Sequence, residues 1–402
     1  MSQIPTDFAP DSTLALAFNG YQFISQGCQR HQSDVFQTRL LFEKTICLKG
    51  ADAARIFYNV EKFTRQGAAP KRAQKTLFGE GGVQGLDGRA HRHRKQMFMA
   101  LMSPERIEDL AKLLDEQWQA AAKQWETMER VTFFPEARTV FCRAVCAWAG
   151  VPLETAEVAQ RAQDLAAMID SSGAIGPKHW QGRRARQRTE SWIQTLVEKV
   201  RSHPPESDPV TALQAISQHR DLDGNLLDKK ITAVEIINVL RPTVAIARYA
   251  TFAALALHEH PEYRQQLRDG NNDDRELFTQ EVRRFYPFFP FAAARVKQAF
   301  DWQDFHFPAG RRVLLDLYGT NHDARAWEDP DTFQPERFRH WEESPFSLIP
   351  QGGGDFYLNH RCPGEWITIA LMTKTLVFLT CSITYEVPPQ DLSVSLSQMP
   401  TV

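Results

Sequence analysis

A chain of 402 residues can form two ordinary domains or one large one, and a content of 43% hydrophobic and 24% charged residues supports an extensive core. A net charge of −2 provides no global attraction to nucleic acid or to an anionic membrane, so neither is expected as a partner held by bulk charge. The six cysteines, Cys28, Cys47, Cys142, Cys146, Cys362 and Cys381, form no C-x-x-C pair and no disulfide framework.

The N-terminus has no basic start leading into an apolar run, so no signal peptide is expected. No apolar stretch approaches bilayer length, and a cytoplasmic protein without a membrane anchor is the expectation. Residues 14–26 read as an amphipathic helix, 35–41 and 44–48 as a hairpin, and 51–58 as a short helix. Residues 78–88 form a glycine-rich loop. It lacks the Gly-Lys-Ser/Thr ending of a phosphate cradle, and that function is rejected. His91, Arg92, His93, Arg94 and Lys95 then open a helix, with Arg92 on a solvated face.

From Pro104 apolar residues recur at helical spacing near 105–125, 137–149, 154–170 and 180–201. Cys142 and Cys146 lie one turn apart in such a segment, where packing is favoured over metal binding. Residues 202–209, with three prolines, read as a linker-like loop. Residues 221–225 read as an exposed turn, because the calcium-loop pattern that begins there stops. A long helix is expected over 228–258. It is followed by a short helix, a helix carrying Glu281 and Arg284, β-rich runs at 295–300, 304–307 and 311–317, and a last strand over 382–387. The whole is mainly α with a small β portion.

Two places break local rules. Arg241 and Pro242 stand inside the long helix between Ile236 and Tyr249. A helix-interior proline costs about 3 kcal/mol, and an arginine among apolar neighbours needs a partner or a path to water. Arg241 could simply pair with a protein carboxylate while Pro242 shapes packing, but adjacent violations often mark function. The second place is Cys362, which follows Gly352, Gly353 and Gly354 and precedes Pro363, Gly364 and an apolar helix. A cysteine before a helix N-terminus is disposed to be a thiolate, and the glycines allow close approach of something bulky and flat. That suits an axial ligand to heme iron; a small buried hydrophobe is the plain alternative.

Arg361-Cys362-Pro363-Gly364, preceded by Glu281-Val282-Arg283-Arg284 and Pro335-Glu336-Arg337-Phe338 in that order, resembles the heme-binding loop, E-x-x-R and P-E-R-F motifs of the cytochrome P-450 superfamily. The resemblance implies the cytochrome P-450 fold, one heme-thiolate domain over 1–402, heme b with Cys362 as the iron ligand, and a buried ion network of Glu281, Arg284 and Arg337. It also implies that His91 and Lys95 face the heme propionates, and that Arg65 and Gly354 contribute to the heme site.

In oxygen-activating members the long helix offers an acid followed by Thr. Here Pro242 precedes Thr243, so that proton relay is missing. Arg-Pro at this place is similar to the fatty-acid peroxygenases, and the similarity extends through 75–79, 84–88, Arg94-Lys95, 283–288 and 351–354. It implies hydrogen peroxide as oxidant, no reductase or ferredoxin, and a long-chain fatty acid bound by Arg241, whose carboxylate serves as the acid-base. Arg241, Pro242 and Gln84 are the expected catalytic residues; Leu77, Phe78, Val244, Phe288 and Phe291 are expected along the acyl chain. Gln84, where a decarboxylating type carries His, favours hydroxylation, and Gln84 together with residues 241–247 resembles the α-hydroxylating type more than the β. The alternatives are a decarboxylase giving terminal alkenes, a reductase-fed monooxygenase, and a non-catalytic heme or fatty-acid sensor. Family members usually continue beyond the position of Val402, which bears on chain-length selectivity.

Overall fold

The computed structural model describes residues 3–203 and 210–398. The prolines of the linker-like loop, 204–209, lie outside the described residues. Helices dominate. Those at Pro104–Trp125, Phe133–Ala149, Val158–Asp170, Pro177–Ser202, Lys229–Ala245, Ala247–Glu259, Asn272–Phe285 and Glu365–Val377 share one large core. Their apolar faces recur at three-and-four spacing and are buried against one another. Trp118 anchors the core: it is fully buried and stacked on Phe378 at 4.8 Å and Phe133 at 5.6 Å, centroid to centroid. Cys142 and Cys146 are buried in this packing, as their spacing predicts.

Seven strands are present among the described residues: β1 (Val35–Leu40), β2 (Glu43–Leu48), β3 (Phe63–Thr64), β4 (Phe291–Val296), β5 (Phe300–Trp302), β6 (Phe305–Phe307) and β7 (Arg312–Asp316). Five make a sheet in the order β1-β2-β7-β4-β3, and β5 pairs with β6 alone. The β2–β7 pair is parallel and the others antiparallel. The expected hairpin is β1–β2.

Four expectations are corrected. The 14–26 helix is broken by Gly20, at φ 52, into Thr13–Asn19, a 3₁₀ turn and Phe23–His31. The 228–258 helix ends at Ala245 and restarts at Ala247. Pro242 cannot donate to the carbonyl one turn back, and the Ile246 N–H closes onto Thr243 instead, tightening the turn. Residues 383–387 form no strand: they lie beside no partner strand, and Ile383 and Tyr385 pack on the helical core. Finally, among the described residues Glu365–Ser382 is long and apolar enough to cross a bilayer. Its Ile367, Leu371, Met372, Leu376 and Phe378 belong to the main core, so its hydropathy reflects packing within the protein.

Candidate active site

The loop before Glu365–Val377 is shaped by glycines for reasons internal to it. Gly352 and Gly354 sit at φ 95 and 83, where a side chain is strained. A Cβ on Gly354 would lie 2.4 Å from the Asn359 amide oxygen, and one on Gly353 2.5 Å from the Pro345 carbonyl. The close neighbours of these glycines are thus the loop's own residues and Tyr58. Gly364 is the N-cap, so Pro363 lies just outside the helix and Cys362 two residues before the cap.

The half-buried Cys362 sulfur accepts from Gln351 Nε2 at 3.8 Å. Burial pushes its thiol above the ordinary range, and the Gly364 N–H opposes this without winning. The expected helix-terminus thiolate is therefore outweighed by desolvation in the chain itself; a bound metal cation reverses that balance, because a coordinating thiol is deprotonated outright. Among the described residues no group of three or more His, Cys, Asp and Glu could hold a metal ion. The donor chemistry is a single sulfur with N–H groups aimed at it, which fits one axial bond to a heme iron and not a zinc or iron–sulfur cage.

Behind the sulfur every buried charge is paired. Arg284 donates to both oxygens of Glu281 at 2.7 Å, and Arg337 Nε lies 3.4 Å from the same carboxylate. The Gln334 N–H adds a bond at 2.8 Å. A second network holds Glu365 between Arg283 and Arg361, the latter at 2.8 Å. Burial works against the Glu365 carboxylate, but the two guanidiniums hold it below its usual range. A cavity of about 390 Å³ lies against this network, lined by Arg283, Arg361, Glu365 and Trp366, and contains none of the expected substrate residues.

At one edge of the loop stand three nitrogen-bearing side chains. Lys95 donates to the carbonyls of Asn359, at 2.9 Å, and Arg361; burial lowers its ammonium to about 8, while the Cys362 charge raises it. His91 lies on His360, rings 3.9 Å apart, and burial lowers it to about 3. Arg65 stacks over Phe57 at 4.2 Å and is lowered by burial. None of the three has an acidic ion-pair partner among the described salt bridges. Arg94, by contrast, is committed to Glu235 at 2.6 Å, and Arg92 is exposed.

The opposite wall is the Lys229–Ala245 helix. Arg241 is buried at 5% exposure, and its one described hydrogen bond runs from Nη1 to the Leu77 carbonyl. It has no carboxylate partner among the described residues. Burial and the neighbouring Arg186 lower it to about 9, opposed by Glu235 and by Cys362, whose field reaches it across the site. The Thr243 hydroxyl donates to the Val239 carbonyl at 2.9 Å, within its own helix.

Gln84, in the 3₁₀ turn Val83–Gly85, accepts from Asn238 Nδ2 at 3.2 Å. Asn238 also donates to Glu235 at 2.8 Å. This chain of Arg94, Glu235, Asn238 and Gln84 was not read from the sequence. The signal was present: Glu235, Asn238 and Arg241 recur every three residues on one face of an apolar helix.

Leu77 lies in the π turn Gln74–Phe78 and clusters with Ile169 and Ala245, against which Phe78 and Phe288 pack. Tyr249, whose buried hydroxyl has no partner among the described residues, stacks on Phe288 at 4.2 Å. Val244 is buried in the main helical core. Phe291 packs on the other side, with the cluster of Phe23, Phe36 and Leu314. The structure therefore brings Leu77, Phe78 and Phe288 together beside Arg241, and not Phe291.

The cytochrome P450 family model matches residues 276–397. Among solved structures, cytochrome P450SP alpha (CYP152B1) in complex with (R)-ibuprophen is 50% identical with a TM-score of 0.95, over 98% of this chain and 97% of that one. Cytochrome P450EX alpha (CYP152N1) with myristic acid is 48% identical, TM-score 0.96, over 100% and 97%. Ligand-free cytochrome P450 OleT is 36% identical, TM-score 0.96, over 99% and 96%.

Proposed function

The chain belongs to the cytochrome P450 superfamily, in its CYP152 group of fatty-acid peroxygenases, and on that premise we propose that it hydroxylates long-chain fatty acids beside the carboxyl group, at the α carbon before the β, with hydrogen peroxide. The prosthetic group is heme b, bound through the Cys362 thiolate, and it supplies the oxidising chemistry. All 402 residues are read as one heme-thiolate domain, needing no redox partner protein.

The observation that carries this reading is Arg241: a buried cation without a protein carboxylate, within the field of Cys362. A fatty-acid carboxylate fits the guanidinium by two parallel hydrogen bonds. The donor has already been stripped of water, so the anion restores what burial removed. The bound carboxylate stands where the helix offers no acid, since Thr243 is turned into its own helix and Glu235 is tied to Arg94 and Asn238. Its oxygens take a proton from one peroxide oxygen and return it to the other. Leu77, Phe78 and Phe288 receive the acyl chain, so that the carbons nearest the anchor face the reacting centre. Val244 takes a place farther along the chain, whereas Phe291, packed with Phe23, Phe36 and Leu314, is left out of it. Lys95, His91 and Arg65 offer nitrogen donors to the heme propionates, and Gly354 shapes the loop that carries the thiolate. Gln84, as an amide that cannot ionise, favours hydroxylation over decarboxylation. The preference for α rests on Gln84 and on the two relatives named alpha, which are more similar to this chain than OleT is.

The test is an incubation of heme-loaded protein with myristic acid and hydrogen peroxide, without reductase, read by gas chromatography–mass spectrometry. 2-Hydroxymyristic acid is expected. A 3-hydroxy acid corrects the geometry, and an alkene one carbon shorter moves the chain to the decarboxylases. Product formed only with NAD(P)H and a reductase contradicts the peroxygenase reading. Binding with a spectral shift and no turnover by either route leaves the sensor.

A further inference from the structure

Fourteen large apolar side chains are exposed among the described residues, and five of them, Phe8, Leu14, Phe18, Leu41 and Phe42, come from the first 42 positions. Single exposed apolar residues are ordinary; a grouped set is not. Two of these, Leu41 and Phe42, are tied by backbone hydrogen bonds to residues at the start of the helix that carries Leu14 and Phe18. The Leu41 N–H donates to Thr13 Oγ1 at 2.7 Å and the Phe42 N–H to Asp11 at 2.6 Å, which fixes the β1–β2 turn against the start of the Thr13–Asn19 helix. That helix buries none of its residues. Leu14 and Phe18, one turn apart, are each nearly three-quarters exposed, at 73% and 75%.

The turn itself is costly. Leu41 and Phe42 sit at φ 52 and 61, the conformation that two-residue hairpins ordinarily fill with Asn-Gly. Phe42 is 81% exposed there, so packing does not repay the strain. One register step back, Arg39 faces Lys44 across the strands, both exposed. Like charges directly opposite are destabilising. Of the two nearby acids, Glu43 is already shared by Arg295 and Arg312, and Asp11 accepts from the Phe42 and Thr13 N–H groups. An apolar tip with two unneutralised cations at its base matches the cross-section of an anionic lipid surface, headgroup charge outside and acyl chains within.

A second copy of this chain fits less well. A two-fold contact would set each Arg39–Lys44 pair against its own copy, and a projecting two-residue tip has little area for a stable dimer. Strand addition is excluded because β1 is already covered at its outer edge, where Thr6 bridges Gln37. The patch is also connected to the candidate site. Tyr21, just after the helix, donates its hydroxyl to the Phe288 carbonyl at 3.1 Å.

We propose that Leu14, Phe18, Leu41 and Phe42, flanked by Arg39 and Lys44, form a docking surface for anionic phospholipid bilayers. The role this gives the surface, collecting acyl substrate where it partitions, rests on the fatty-acid reading above. The docking itself is measured without substrate or peroxide, so each can fail alone.

Heme-loaded protein is floated with vesicles of phosphatidylcholine alone and of phosphatidylcholine with phosphatidylglycerol. Binding to the anionic vesicles is expected, weaker by about tenfold on phosphatidylcholine alone and weakened again by high salt. The variant Leu41→Asn with Phe42→Gly installs the residues the turn prefers, so it should unfold no earlier than wild type while losing about tenfold or more in vesicle binding. Its turnover of dissolved acid should be unchanged. Phe18→Ser, outside the hairpin, should weaken binding in the same direction. Equal binding by wild type and the double variant, or no binding by wild type to anionic vesicles, overturns the proposal. So does a concentration-dependent dimer that the double variant dissociates, since the surface would then belong to a second copy.

Discussion

The two sides of Cys362 treat buried charge in opposite ways. Behind it, Glu281, Arg284 and Arg337, and likewise Arg283, Glu365 and Arg361, are all paired at hydrogen-bond or ion-pair distance. In front of it, Arg241 is buried with one carbonyl and no carboxylate among the described residues. Both arrangements carry the desolvation cost of a buried ion. The first offsets it within the fold, which marks a rigid support. The second, on the function proposed above, leaves it to the carboxylate of a bound substrate. Exposure alone would not separate them; partner count does.

The largest effect is expected where a pair is broken. Arg284→Leu takes both close hydrogen bonds from the buried Glu281 carboxylate, leaving it Arg337 at 3.4 Å and the Gln334 N–H, and should cost about 3–5 kcal/mol in urea unfolding. A loss below about 1 kcal/mol would place that network among ornamental ion pairs and erase the contrast. Next comes the acid limb of stability. His322 directs Nδ1 to the Tyr318 carbonyl at 3.0 Å, and burial, helped by Arg284, lowers it to about 4. A base depressed in the folded state contributes stability that is complete above its unfolded value near 6.5 and is lost as pH falls toward 4, because the unfolded chain then binds the extra proton. Wild type should lose about 2 kcal/mol more than His322→Asn between pH 7 and pH 4.5, discounted for partial exposure. An equal loss in both proteins removes His322 from the account. A smaller effect is expected at Asn238→Ala. Glu235 keeps Arg94, but Gln84 loses its one described tether, at a cost of about 1 kcal/mol. The sharper readout is the ratio of 2- to 3-hydroxy product, which should fall; an unchanged ratio denies Gln84 a directing role.

The Glu281, Arg284 and Arg337 network was readable through the resemblance that E-x-x-R, P-E-R-F and the cysteine loop carry in their specific order, whereas the Arg283, Glu365 and Arg361 network was not read. The anomaly of Arg241 and Pro242 was readable too, since both break helix rules within two residues. The Glu235 to Arg94 pairing was not, because it joins residues 141 positions apart and nothing in local periodicity announces a contact of that span. Phe291 was placed with the acyl-chain residues by resemblance alone, and strand alternation turns it to the other face of the sheet. The strand expected at 382–387 failed for a related reason: alternation describes a surface, and a strand also needs a neighbour to bond to. The hairpin was legible from its flanks even though Leu41-Phe42 is a poor turn sequence, and that mismatch between residue type and conformation motivates the docking proposal.

The central claim is tested most directly by Arg241→Ala in heme-loaded protein, measured twice: peroxide-driven 2-hydroxymyristate formation without reductase, and stability in urea. Turnover is predicted to fall at least about a hundredfold, as expected for a charged contact made to the reacting group. Stability is predicted to hold or rise, because an unpaired buried cation has been removed. Normal turnover, or a loss of stability like that of the paired arginines, would contradict the assignment of Arg241 as the carboxylate anchor.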